Sequence, residues 1–146
     1  MYGDSRPTAT RGFRWGPVIL IAAALSLYLI VTRPPSTPAG WGEDLSAGFA
    51  QAKATSRSLV LDFYSEGCPP CMAMDRFVLP SAEVQAALRD FVPVRVNVVR
   101  DADTAARFQV HSTPTFVVAT PEGEPLRRIE GYITAEVFVS FLKPAS

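Results

Sequence analysis

The sequence predicts an α/β fold, a mixed sheet of four to five strands with helices on both faces, preceded by one apolar N-terminal helix that spans a membrane. Three observations predict it. Helix-like and strand-like runs alternate from Glu43 onward and close with a hairpin and a helix. An uncharged, almost wholly apolar stretch lies between Arg14 and Arg33. The only two cysteines, Cys68 and Cys71, stand one helical turn apart directly behind a strand-like run.

Taken in order, the first element is the apolar run centred on Val18 to Val31. About 18 residues at about 1.5 Å each reach about 27 Å, just short of the roughly 30 Å hydrocarbon layer. Residues 16–32 are therefore read as a single-pass signal anchor. A cleaved secretory signal is the alternative, although Thr37-Pro38-Ala39 is a poor small-residue cleavage site. Arg6, Arg11 and Arg14 precede the run, and Arg33 alone follows it closely. By the positive-inside rule residues 1–15 stay in the cytoplasm and the chain after about Thr32 is exported, to the periplasm or its equivalent. The proline-rich stretch 33–40 reads as an extended spacer, and residues 41–146 as one domain.

Within that domain Leu45, Phe49, Ala50 and Ala52 mark one face of a helix, with Glu43 and Asp44 at its N-terminal end. Ser58 to Tyr64 reads as a buried strand. A helix runs from the cysteines to Val78 or Leu79, is interrupted at Pro80, and restarts after Ser81 through Val84, Ala87 and Leu88. Val92 to Val99 alternates as a second strand, and Asp101 caps a short helix reaching Phe108. Thr115 to Ala119 and Leu126 to Glu130 form a hairpin about the turn at Pro121 to Glu124. Thr134 caps a last helix, with Val137, Phe138, Phe141 and Leu142 inward, which ends at Pro144.

An apolar fraction of 48% suffices for a packed core. The 14 basic and 14 acidic residues cancel, so no nucleic-acid partner is expected. Chemistry points to the cysteines. A pair this close cannot staple distant parts of a fold. At a strand-to-helix junction Cys68 meets backbone N–H groups and the positive end of a helix dipole, which favour thiolate over thiol. Cys71, in the first turn and less exposed, is placed to attack a mixed disulfide on Cys68 and expel the bound partner. A zinc knuckle would need four ligands, and the chain adds only His111. Capture of Cu(I) by the thiols with Met72 and Met74 is a further alternative, although helical methionines are more often core filler. Asp62, an acid in an apolar strand, either points outward at the sheet end or is buried, and burial would raise its pKa toward a range suited to accepting a proton from Cys71. Pro69 and Pro70 stiffen the turn and remove two N–H donors, which argues against an extremely acidic thiol. His111 and Glu66 read as surface residues.

Order of elements and motifs together resemble the thioredoxin superfamily over nearly all of Trp41 to Ala145. Asp62-Phe63-Tyr64-Ser65-Glu66-Gly67-Cys68 repeats the run before that family's first cysteine, with Gly67 where the family usually has tryptophan. Val110-His111-Ser112-Thr113-Pro114-Thr115 looks like its cis-proline segment. The resemblance implies that Pro114 faces the dithiol and that the backbone at Thr113 pairs with a substrate as an added strand. It also matches Gly131 to a family glycine near the dithiol, and Arg95 to a lysine near the buried aspartate. Arginine at that place would hold Asp62 more firmly ionised; the alternative is a sheet-edge charge facing water. The Asp62 region with Phe77 to Leu88 is similar to the C-terminal periplasmic domain of the transmembrane disulfide-reductant transporter, and cytochrome c maturation proteins are a related group.

The expectation is therefore a membrane-anchored thiol–disulfide oxidoreductase acting outside the cytoplasm, with Cys68, Cys71 and Asp62 catalytic. Thr113, Pro114, Pro69, Pro70 and Gly131 would meet the substrate. Its partners would be protein thiols or disulfides and an upstream electron donor or acceptor. It would need no cofactor or metal beyond the Cys68–Cys71 disulfide, and its direction would be reductive. A copper metallochaperone and a non-enzymatic accessory subunit of a membrane complex are the rival readings.

Overall fold

A computed structural model describes residues 16–31 and 37–143. The chain divides into two units, Met1–Ser36 and Thr37–Ser146. In the first, the described element is helix α1, Gly16–Val31, which carries no charged residue. Its side chains at Ile19, Leu20 and Ile21 are exposed. At 16 residues it reaches about 24 Å; among the described residues no helix is long and apolar enough to cross a membrane. The expected cytoplasmic segment 1–15, the anchor's last residue Thr32, the spacer's first residues 33–36 and the stop at Pro144 lie outside the described residues.

The second unit opens with α2, Leu45–Thr55, capped by Asp44, whose Oδ1 accepts from the Ala47 N–H at 3.0 Å. Small residues set its approach to the sheet: Gly48 and Ala52 are buried, and a Cβ on Gly48 would lie 2.4 Å from Cγ2 of Val94. Strand β1 (Leu59–Tyr64) leads into α3 (Pro69–Ala73), which continues as a π-helical turn over Met74–Val78. Helix α4 (Ala82–Ala87) and a 3₁₀ turn (Leu88–Asp90) bring the chain to β2 (Val92–Asn97). Helix α5 (Ala102–Arg107), strands β3 (Thr115–Ala119) and β4 (Pro125–Glu130), and α6 (Ala135–Leu142) follow.

The sheet has four strands in the order β2-β1-β3-β4, with β1 and β2 parallel and the other pairs antiparallel. The possible fifth strand is reduced to a bridge of Gly42 to Val94 on the outer side of β2. Because side chains alternate across a strand, Val60, Phe116 and Val118 face one core with Met74, Leu79, Val84 and Phe138. Leu61, Phe63, Val94 and Val117 face a second core with Ala52, Ala105 and Phe108. Each fully buried phenylalanine contributes roughly 1.5–3 kcal/mol by leaving water, and Phe116 meets Phe138 edge-on with centroids 5.0 Å apart.

Three local expectations need correction. Strand β2 ends at Asn97, not Val99, because Asn97 Oδ1 accepts from the N–H groups of Val99 and Arg100 at 3.0 and 3.2 Å and turns the chain. The helix after Cys71 widens at Met74, where the Leu79 N–H donates to the Met74 carbonyl at 2.9 Å. Val137 is exposed, since the buried stripe of α6 runs one turn apart through Phe138 and Leu142.

Candidate active site

Cys68 caps α3 in extended conformation, and its Sγ accepts the Cys71 N–H at 3.3 Å. Two features of the local sequence force this turn. Gly67 sits at φ +73°, a left-handed conformation that glycine adopts without strain, while a Cβ there would meet nothing within 4 Å. The departure from the family's tryptophan therefore answers to the backbone. Pro69 and Pro70 then occupy the first helical positions, where a missing N–H costs no helical bond.

Cys68 and Cys71 are joined as a disulfide, Cα atoms 5.3 Å apart. Cys68 is the more accessible sulfur residue, 9% against 3% exposed. Beside it runs the segment before β3, with a cis peptide bond at Thr113–Pro114. Thr113 Oγ1 donates to Cys68 Sγ at 3.5 Å, and the Thr113 carbonyl oxygen lies 3.6 Å from the same sulfur. Pro114 is buried, and its carbonyl accepts the Gly131 N–H at 2.8 Å. The fold thus brings together Cys68, Cys71 and Thr113, with Gly131 joined through Pro114. Pro69 is exposed and Pro70 half-buried at the same turn.

Within β1, Asp62 is 1% exposed and stands opposite Arg95 in the parallel register. Arg95 Nε donates to Asp62 Oδ2 at 2.9 Å, while Nη2 reaches Asp75 at 3.0–3.1 Å. The guanidinium also lies over the Tyr64 ring, 4.0 Å from its centroid. Arg95 is buried, 6% exposed, so it is not a sheet-edge charge facing water; the Gly42 bridge covers that side of β2.

Arg95 acts on Asp62 in the expected direction, lowering its pKa, but it does not set the outcome. Burial pushes the Asp62 carboxyl up to about 7, outweighing the attraction of Arg95, and neighbouring Asp75 raises it further. Charge counting adds to this: two carboxylates share one guanidinium, so a single proton neutralises the cluster. Asp75 is also raised, chiefly by burial. Asp62 Oδ1 has no hydrogen-bond partner among the described residues.

Asp75 and Ser65 are site residues that sequence reasoning missed. Asp75 lies seven residues after Cys68, two helical turns on, and that spacing was its only signal. Ser65 Oγ lies 3.1 Å from Thr113 Oγ1, a contact between residues 48 apart in sequence. Met72 is exposed and Met74 is 1% exposed within the core, so the two are not side by side as a ligand pair. His111 is exposed, and Glu66 pairs with Arg100 at the surface. Among the described residues no group of three His, Cys, Asp or Glu side chains is arranged to hold a metal.

The thioredoxin-like domain family matches residues 45–146. The thiol:disulfide interchange protein DsbD of Ralstonia nicotianae is 35% identical over 99 residues, 64% of this chain and 16% of that protein. DsbD 2 of Pseudomonas aeruginosa is 30% identical over 152 residues, 86% of this chain and 26% of that protein. The chain thus spans about a quarter or less of the length of these two relatives. Among solved structures, a thioredoxin from Thermus thermophilus superposes with a TM-score of 0.64 at 33% identity, covering 70% of this chain and 82% of that one. The C-terminal domain of Neisseria meningitidis DsbD in the reduced form shares the fold, with a TM-score of 0.59 at 21% identity over 66% of this chain and 89% of that one. With its disulfide-bonded Cys68-Pro69-Pro70-Cys71 and DsbD-related sequence, the chain belongs to the thioredoxin-like domain family.

Proposed function

We propose that this chain is a thiol–disulfide oxidoreductase that reduces disulfides of protein partners outside the cytoplasm. The observation that carries the reading is the Cys68–Cys71 disulfide at a strand-to-helix turn, beside the Thr113–Pro114 segment, with a buried carboxyl at Asp62 on the strand that leads into it.

In the reduced chain the Cys68 thiolate attacks one sulfur of a partner disulfide. A Cys68–partner disulfide forms and the other partner sulfur leaves as thiolate, taking a proton from water. Cys71 then gives its proton to Asp62 and attacks Cys68 Sγ, which closes the Cys68–Cys71 bond and releases the second partner sulfur as a thiolate that takes a proton from water. Two electrons pass from the cysteine pair to the partner, and an upstream protein dithiol must return them. A carboxyl held at about 7 changes charge near neutral pH, which suits it to that transfer.

The backbone at Thr113 holds an extended partner segment by strand addition, with Pro69, Pro70, Pro114 and Gly131 bordering it. The loss of N–H donors at Pro69 and Pro70 supports the reductive direction, because a weakly stabilised thiolate favours the oxidised pair. The uncharged apolar run of the sequence, part of which forms α1, is the ground for assigning residues 16–32 to a single membrane pass, although α1 itself is too short to cross one. On that reading residues 1–15 are cytoplasmic, residues 33–40 are a spacer, and the domain from 41 onward lies on the outer side.

Insulin reduction with excess dithiothreitol tests the activity. The chain should accelerate precipitation of the insulin B chain, and Cys68→Ser should abolish the acceleration; an unaccelerated reaction with the natural sequence contradicts it. A reduction potential near about −270 mV fits a reductase, and one near about −120 mV reverses the direction.

A further inference from the structure

We infer that Ser65 is a positioning residue for the exchange reaction, one that fixes the Thr113 hydroxyl as a hydrogen-bond donor to the sulfur of Cys68. The inference rests on the proposed oxidoreductase activity and adds to it a side chain that neither the dithiol motif nor the resemblance singles out.

A thiolate at a helix start is ordinarily held by the first backbone N–H groups. Here Pro69 and Pro70 fill the first two helical positions and have none to offer. Among the described residues, two hydrogen bonds reach Cys68 Sγ as acceptor: the Cys71 N–H at 3.3 Å and the Thr113 hydroxyl at 3.5 Å. The Thr113 hydroxyl has one proton and a second candidate partner, Ser65 Oγ at 3.1 Å, where either oxygen could donate. When the Thr113 proton points at sulfur, the Ser65 proton is free to point at Thr113 Oγ1. The three groups then form one directed chain, from Ser65 O–H to Thr113 Oγ1 and from Thr113 O–H to Cys68 Sγ. Donors in series polarise one another, and the bond to sulfur gains most when the sulfur is charged.

Ser65 is well placed for this. It follows the last residue of β1 and is half-buried, so its hydroxyl is partly shielded from water. No proton leaves either hydroxyl, and the electron balance of the exchange is unchanged. What changes is the fraction of Cys68 present as thiolate, and with it the rate of attack and the potential of the pair.

The test is the pH profile of iodoacetamide alkylation at Cys68 in the reduced full-length chain, read by mass spectrometry, together with the equilibrium of the pair against glutathione. Ser65→Ala should move the midpoint of the profile upward and slow alkylation at pH 7 by about three- to tenfold, the size expected for weakening a hydrogen bond to a charged group. Thr113→Val should do at least as much. The double variant should match Thr113→Val alone, because Ser65 acts through Thr113. Ser65→Thr and Thr113→Ser, which keep the hydroxyls, should restore the natural profile, and they separate loss of the donor from loss of packing. The inference is overturned if Ser65→Ala leaves the profile in place, if the two effects add, or if the hydroxyl-retaining variants behave like the truncations. Failure of the natural chain to exchange with glutathione disulfide at all would instead overturn the proposed activity.

Discussion

Arg95 donates from Nε to Asp62 at 2.9 Å across the parallel β1–β2 pair, with both residues all but sealed from water. The same guanidinium reaches Asp75. A buried ion pair of this kind usually implies a firmly ionised acid. Burial defeats that inference, with the second carboxylate adding to it, and leaves Asp62 titrating at about 7.

Stability should therefore depend on pH in an uncommon sense for an aspartate. The folded carboxyl binds its proton more tightly than the unfolded one, whose value is 3.8, so the folded state holds more protons between the two. The favourable contribution is complete below about pH 4 and is lost as pH rises through about 7, on the order of 4 kcal/mol if Asp62 titrates alone. Urea unfolding of the oxidised chain at pH 5 and pH 8 measures this. Asp62→Asn should flatten the difference and be the more stable protein at pH 8.

Removing the shared cation should be costly at high pH. Arg95→Ala leaves two buried carboxylates with no counter-charge and should destabilise by about 3–5 kcal/mol at pH 8, with a smaller loss near pH 4 where both can hold protons. Arg95→Lys should fall between, since one ammonium cannot bridge Asp62 and Asp75 while lying flat over Tyr64. Denaturation midpoints at the two pH values check the order.

Gly48 offers a test in which two effects oppose each other. Helix propensity alone would make Gly48→Ala stabilising by about 1 kcal/mol. The added Cβ, however, would lie 2.4 Å from Val94 Cγ2 in the buried α2–sheet contact. Overpacking of about 1–3 kcal/mol should win. The thermal midpoint should fall, and Val94→Ala placed in the Gly48→Ala background should be milder than Val94→Ala alone.

Much of the fold was legible because its signals are local. The acidic start of α2 at Glu43 and Asp44, the Asp101 cap, the alternation of Val94 and Val96, and the stretch of Thr115 to Ala119 each declare an element within a few residues. The dithiol was legible for the same reason. What escaped depends on convergence of distant segments. Asp75 sits between Met74 and Arg76 in what reads as an ordinary helix, and the π-helical turn that shares its backbone leaves no mark in composition. Ser65 gains its meaning from Thr113, 48 residues away. The carboxyl of Asp62 was foreseen as buried with a raised pKa; what the sequence did not show is that burial outweighs the pull of Arg95 and that a second acid shares that cation.

The central claim is that Cys68 receives the partner and Cys71 frees it. Incubating full-length Cys71→Ala and Cys68→Ala variants with a disulfide-bonded peptide, then quenching in acid and measuring intact mass, tests it most directly. The account predicts a stable one-to-one adduct on Cys68 in Cys71→Ala and little or none on Cys71 in Cys68→Ala. Equal labelling of both variants, or no adduct on Cys68, would contradict it.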